Sequence, residues 1–404
     1  MKRAPNEHVK YVGISTPEFA ARRHRLLAGA SSSGASGTVL FGADCIRYFT
    51  GFNFLATERP VVFALSSGGD MALLVPGFEV EHARLKSSVE RIHSYPEYPG
   101  ERHPMLFLAD ILADMGIGRE IAADGDGYPG ILGYRGPSLS AVTGATIMPI
   151  GDVIEKMMAI KSQAEIDLIK ESARWCAVGH ELLQKYSVAG ATEGQASLRA
   201  EYEATLAMIE ALGGQLNGRQ GSSDGVKAGY RGQIGKYSAL AHAVAGNHVF
   251  KPGDVLVSET GAPVWGYTAE LERTMIIGHA TSEQARLFEH MTQAQQVAVD
   301  AVKPGRTCAD VDRDVLEYFE RNDLMRYWGQ HTGHAIGLRN HEAPFLDVGD
   351  TTVIRTGMVF TIEPGIYVPG VAGFRHSDTV VVTEDGAEVI TDYPRDIESL
   401  TIQA

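Results

Sequence analysis

From Val255 to Thr383 the chain sets ionisable side chains inside short apolar, β-branched runs. A charge on such a strand is costly unless it is paired or coordinated, so a fold for this sequence must bring these groups together. Ser258 to Thr274 reads SETGAPVWGYTAELERT, in which Glu259 and Glu270 bracket a turn containing Gly261, Ala262, Pro263 and Gly266. Two strands returning past each other across that turn would bring both carboxylates to one spot. Gly333-His334-Ala335-Ile336-Gly337 and His341-Glu342-Ala343-Pro344 follow, with glycines that let a ligand approach the backbone. Thr361-Ile362-Glu363-Pro364-Gly365 places a carboxylate in an apolar strand, and Phe374-Arg375-His376-Ser377-Asp378 opens another. Singly, each piece reads as a solvent-facing acid or a satisfied structural histidine. Their order and spacing together point to one site.

The first part of the chain has a different texture. Ala35–Phe41, Pro60–Ala64, Met71–Val75 and Glu120–Ala123 read as strands, and Pro104–Met115 as a helix with proline at its start. Ser31–Gly37 reads as a loop within this α/β layer, because strand-like sequence follows at once. A join falls near Gly151–Lys161. Beyond it, helical spacing runs over Ile154–Ile160, Glu165–Leu182 and Gly194–Leu212. Gly213–Gly235 is glycine-rich and reads as a loop or a series of bends. Strands are expected at Val255–Val257, Met275–Ile277, Val359–Ile362 and Thr379–Thr383, with helices near Ser282–Val302 and Cys308–Arg321. Strands grouped apart from helices predict an α+β catalytic domain at residues 155–404, behind a smaller α/β domain at 1–154.

Composition narrows the function. With 404 residues, 44% hydrophobic and 21% charged, the chain can bury sizeable cores in roughly two or three domains. A net charge of −14 disfavours nucleic acid as a partner. No apolar run approaches the roughly 18–20 residues of a membrane helix, and polar, basic Met1–Tyr11 is not expected to be a secretory signal. Cys45, Cys176 and Cys308 lie far apart with no CxxC spacing, as for reduced thiols in a cytoplasmic protein.

The motifs above, over roughly residues 155–390, resemble those of the pita-bread-fold enzymes: creatinase, prolidase and aminopeptidase P. The lead-in MMAIKSQAEIDLIKESA resembles that family's first catalytic-domain helix, and Ile46-Arg47-Tyr48-Phe49-Thr50-Gly51-Phe52 resembles its N-terminal domain. The resemblance implies a pita-bread catalytic domain, hydrolysis of C–N bonds, and a homodimer. The family's dinuclear peptidases carry two aspartates, a Gly-His, a Glu-Pro-Gly and a bridging glutamate. Here the aspartates are Glu259 and Glu270, His334 and Glu363 stand unchanged, and the bridging glutamate falls on Ser377. A hydroxyl is an uncharged, poor ligand for hard divalent ions. The implied metal set is therefore Glu259, Glu270, His334 and Glu363, holding at most one ion of manganese, cobalt, iron or zinc, or none.

Two catalytic readings follow. In an Xaa-Pro-type peptidase acting on short peptides, Glu363 is ligand or general base, while His242 and His341 bind substrate and donate protons. In a metal-independent, creatinase-like hydrolase of a small amidino or cyclic amide, His242 is the acid–base group, and Glu272 and Glu363 clamp a cationic substrate. By the same resemblance Arg59 would bind a substrate carboxylate, in its own chain or across a dimer, and Arg375 joins the substrate-binding set. A third reading makes the acids a buried ion-pair network in a binding protein on the same fold.

Overall fold

The computed structural model describes residues 13–31, 34–213 and 225–403. The expectation for Met1–Tyr11 and parts of the two loop readings, at 32–33 and 214–224, lie outside the described residues. The chain divides after Met157 into two compact units, within α6 (Gly151–Ala159).

The first unit holds helices α1 (Thr16–Ser31), α2 (Ala43–Thr50), α3 (Val80–Lys86), α4 (Pro104–Asp114) and α5 (Leu139–Thr143). Its strands are β1 (Gly37–Leu40), β2 (Val62–Ser66), β3 (Met71–Pro76), β4 (Ile92–Tyr95), β5 (Glu120–Ala123) and β6 (Thr146–Pro149). They form one mixed sheet in the order β4-β3-β2-β1-β5-β6. β1 and β2 are buried along their whole length, so they read as continuous apolar runs and not as alternating ones. Pro104 opens α4 where its missing N–H is harmless, and the His103 side chain accepts from the Met105 amide.

The second unit is α+β. Its helices are α7 (Gln163–Tyr186), α8 (Glu193–Leu212), α9 (Ser282–Ala301) and α10 (Cys308–Arg321). Each begins with a reciprocal capping box, such as Ser162 with Glu165 on α7 and Thr307 with Asp310 on α10. Its strands are β7 (Lys227–Gly229), β8 (Val255–Val257), β9 (Glu259–Gly261), β10 (Glu270–Leu271), β11 (Thr274–Ile277), β12 (Gly333–Ala335), β13 (Glu342–Leu346), β14 (Val359–Ile362), β15 (Ile366–Val368), β16 (Ala372–Phe374), β17 (Asp378–Val382), β18 (Ala387–Val389) and β19 (Thr401–Ile402). An antiparallel sheet in the order β13-β12-β14-β17-β18 and a smaller one in the order β10-β9-β7 carry the candidate site. The core beneath them includes Met275, Met291, Val315, Phe319, Phe360 and Val380.

One sequence expectation is corrected here. The glycine-rich stretch contains a strand, β7, paired antiparallel with β9. Val226, Ala228 and Tyr230 are buried while Lys227 is exposed, which is strand periodicity hidden among glycines.

Candidate metal centre

The hairpin forms as its spacing suggests: Glu270 pairs with Gly261 and Leu271 with Thr260. Glu259 and Glu272 lie one step beyond Thr260 and Leu271, so alternation turns Glu259, Glu270 and Glu272 toward one face. β17 closes on this hairpin. Glu272 and Ser377 exchange backbone hydrogen bonds of 3.0 and 3.1 Å, and Ser377 Oγ donates to Glu270 Oε1 at 2.8 Å. Ile362 pairs with Asp378 between β14 and β17, which brings Glu363 and Ser377 to the same edge.

His334 sits on β12, beside β14. Its Nδ1 lies 3.0 Å from the Ala335 carbonyl, which can only accept, so Nδ1 carries a hydrogen. That bond turns Nε2 toward Glu363 Oε1 at 3.2 Å. Glu270, His334 and Glu363 each offer a ligand atom, all within 4.8 Å of one another. Two carboxylates and an imidazole with its far nitrogen anchored fit a divalent transition-metal ion. The electrostatics agree. Burial, then Glu363, Glu272 and Glu259, hold the Glu270 carboxyl well above the ordinary range. Burial opposes the charge on Glu363, but the hydrogen bond and charge of His334 outweigh it and hold that carboxyl low. A cation among these groups would relieve the repulsion that raises Glu270.

Glu272 is engaged elsewhere. Arg375 holds it through Nε and through Nη2, the latter 2.6 Å from Oε1, and both side chains are buried. Arg375 Nη1 donates to Tyr367 Oη at 2.9 Å, Tyr367 donates to Gln330 at 2.7 Å, and Gln330 Nε2 returns to the Glu363 carbonyl at 2.7 Å. Glu259 stands outside the three-ligand cluster. Its Oε2 lies 2.5 Å from Arg231 Nη1, while Arg231 Nη2 is 3.5 Å from Glu272 Oε1.

The histidines flank this cluster. His341 is only partly exposed, because its ring lies flat on His334, centroids 3.8 Å apart and planes 16° apart. Burial, and then the charges of His334, His331 and His242, hold His341 below its ordinary pKa, against the pull of Glu363. His242 lies on an exposed loop close enough to contribute to that effect. In the first unit, Arg59 is paired with Glu58 and with Glu97, Nε to Oε1 at 2.7 Å.

Comparison with known proteins assigns the lineage. Residues 167–384, over half of the chain, match metallopeptidase family M24. The chain belongs to metallopeptidase family M24. Two of the relatives that follow are named as peptidases, hydrolases of peptide C–N bonds, and the pita-bread fold of the second unit is the one expected. Residues 22–158 match the creatinase/prolidase N-terminal domain. An Xaa-Pro dipeptidase of Pyrococcus furiosus is 33% identical over 248 residues, 61% of this chain and 67% of its own. An Xaa-Pro dipeptidase from Bacillus anthracis superposes with a TM-score of 0.80 at 25% identity, covering 96% of this chain and 100% of its own. The N-terminal domain of the FACT complex subunit SPT16 from Cicer arietinum shares the fold, with a TM-score of 0.72 at 15% identity over 96% of this chain and 100% of its own.

Several residues of this M24 site escaped the sequence reading. Arg231 lies in the stretch read as loop, and its one local sign is its place before Gly232. Asp312 on α10 is buried and accepts from Thr332 N at 3.1 Å, Thr332 Oγ1 at 2.6 Å and Val348 N at 3.0 Å. Thr332 O in turn accepts from Glu363 N at 2.8 Å, so Asp312 anchors the segments bearing both His334 and Glu363. Lys161 pairs with Glu342 at 2.9 Å, both buried, beside His341. Among the described residues no helix is long and apolar enough to cross a membrane, and Cys45, Cys176 and Cys308 are buried and not joined in disulfides.

Proposed function

We propose that this chain is an Xaa-Pro-type dipeptidase that works with one divalent ion of manganese, cobalt, iron or zinc, held by Glu270, His334 and Glu363. The observation that carries the reading is the convergence of those three donor atoms within 4.8 Å, with the His334 far nitrogen tied to a carbonyl. An ion held there supplies Lewis acidity toward the scissile carbonyl and acidifies a water. The chain's own groups do the rest. His341, stacked on His334 at the open side of the cluster, accepts hydrogen bonds at the site or passes on a proton. His242, on the exposed loop, donates to the departing prolyl nitrogen. Short peptides are the substrate class because two of the relatives named above are named Xaa-Pro dipeptidases.

The metal-independent reading requires Glu272 to be free to take a cationic substrate. Arg375 already fills that role from within the chain, which favours the peptidase. The proposal includes a cytoplasmic homodimer, to which the reduced, buried cysteines and the family resemblance lend support. Assay of Xaa-Pro dipeptides against amidino compounds and cyclic amides tests the substrate class. Hydrolysis of the second group without the first would overturn it.

A further inference from the structure

The position of Arg231 is built, not incidental. Arg231 is a non-glycine residue with φ of +50°, a left-handed conformation that an unconstrained arginine avoids. The loop around it is clamped. The Glu193 carboxylate accepts from Gly232 N at 2.5 Å and from Gly246 N at 3.2 Å. Gly232, at φ of +78°, passes so close to the chain at Val244 that an added Cβ would lie 2.2 Å from the Val244 carbonyl oxygen. The result of this clamping is a guanidinium set between Glu259 and Glu272.

The charges explain what such a guanidinium is for. Glu259, Glu270, Glu272 and Glu363 contribute four carboxylates to the site, and Arg231 and Arg375 contribute two permanent cations. With every acid ionised, two net negative charges remain, which one divalent cation offsets. A pair of dications would leave the site positive. It would also need a bridging anion, where the chain has the neutral Ser377 hydroxyl bonded to Glu270. Oε2 of Glu259 is buried and takes no aligned hydrogen bond, although Arg231 Nη1 lies 2.5 Å away, so the contact is chiefly one of charge.

We propose that Arg231 is a built-in substitute for a second metal ion. It neutralises Glu259, keeps that carboxylate out of the metal's coordination sphere and, together with the neutral Ser377, limits the centre to one divalent ion. The inference rests on the reading that Glu270, His334 and Glu363 hold metal. It goes beyond that reading by giving a side chain outside the ligand set a part in the stoichiometry.

Manganese titration of the chelator-stripped, dialysed full chain, followed by calorimetry and elemental analysis, tests it. The wild type takes up one ion per chain. In a Ser377→Glu background, which supplies a bridging carboxylate, Arg231→Gln loses the cation but keeps a non-glycine residue, and the chain takes up two, whereas Ser377→Glu alone takes up one. Arg231→Lys in the same background restores the charge and returns to one. The Arg231 side chain is 41% exposed, so neither change at this position opens a core. One ion in the Arg231→Gln, Ser377→Glu double variant, or two in the wild type, overturns the inference. No ion in the wild type overturns the metal centre itself, whereas one ion without hydrolysis of Xaa-Pro dipeptides overturns only the proposed substrate class.

Discussion

Arg375 and Glu272 form a buried two-point pair, with Nη2 2.6 Å from Oε1 and Nε on Oε2. Deleting the cation leaves a buried carboxylate beside Glu363 and Glu259. Arg375→Ala should therefore lose about 3–5 kcal/mol of stability, and Arg375→Lys should lose less but not recover the wild type, since an ammonium cannot reproduce the fork. Urea denaturation of the three proteins checks this. Equal midpoints would show that the pair is not structural.

Asp312 makes no contact with the three ligand atoms, yet it holds the Thr332 amide and hydroxyl and the Val348 amide. Asp312→Ala leaves buried donors unpaired at about 1–3 kcal/mol each. Because Thr332 O carries the Glu363 amide, the variant should also bind manganese more weakly. Calorimetric titration reads the second effect. A loss of stability with unchanged metal affinity would confine Asp312 to the fold.

His341 lies on His334 at 3.8 Å but is exposed, so its removal should leave the fold and the metal in place. His341→Ala should lower kcat/KM on an Xaa-Pro dipeptide by on the order of a hundredfold, with the manganese Kd nearly unchanged. A comparable loss of metal affinity would recast His341 as support for the ligand and not as a proton carrier.

Much of this architecture was legible in the sequence because local signals agree with the fold. Val255–Val257, Glu120–Ala123 and Cys308–Arg321 appear where short apolar runs and helical spacing place them. The hairpin from Glu259 to Glu270 follows from turn residues between two acids. Other features depend on distant partners. The alternation of β7 is masked by glycine, and its strand exists because β9 is there to pair with it. Arg231 and Asp312 have ordinary neighbours in sequence; only the closed loop and the packing of α10 bring them to Glu259 and Thr332. Glu259, expected among the metal ligands, pairs with an arginine whose position no local pattern reveals.

His180 supplies a pH test away from the metal ligands. Its ring is fully buried against Ser258 Oγ at 2.6 Å, and burial, then Arg273, hold its pKa down to about 3 from 6.5. As pH falls below 6.5 the unfolded chain takes up a proton that the folded chain refuses, so stability drops by about 1.4 kcal/mol per unit from this group until pH nears 3. Urea midpoints at pH 7 and pH 5 should fall more steeply for the wild type than for His180→Gln. Parallel declines would remove His180 from the acid response.

The most direct measurement of the central claim is hydrolysis of an Xaa-Pro dipeptide by the exhaustively chelated chain, followed as manganese or cobalt is returned. A one-ion centre on Glu270, His334 and Glu363 predicts that activity vanishes on chelation and is restored at one equivalent per chain. It also predicts that Glu270→Ala is not rescued at that concentration. Activity that survives chelation and is abolished by His242→Ala would contradict the account and favour the metal-independent mechanism.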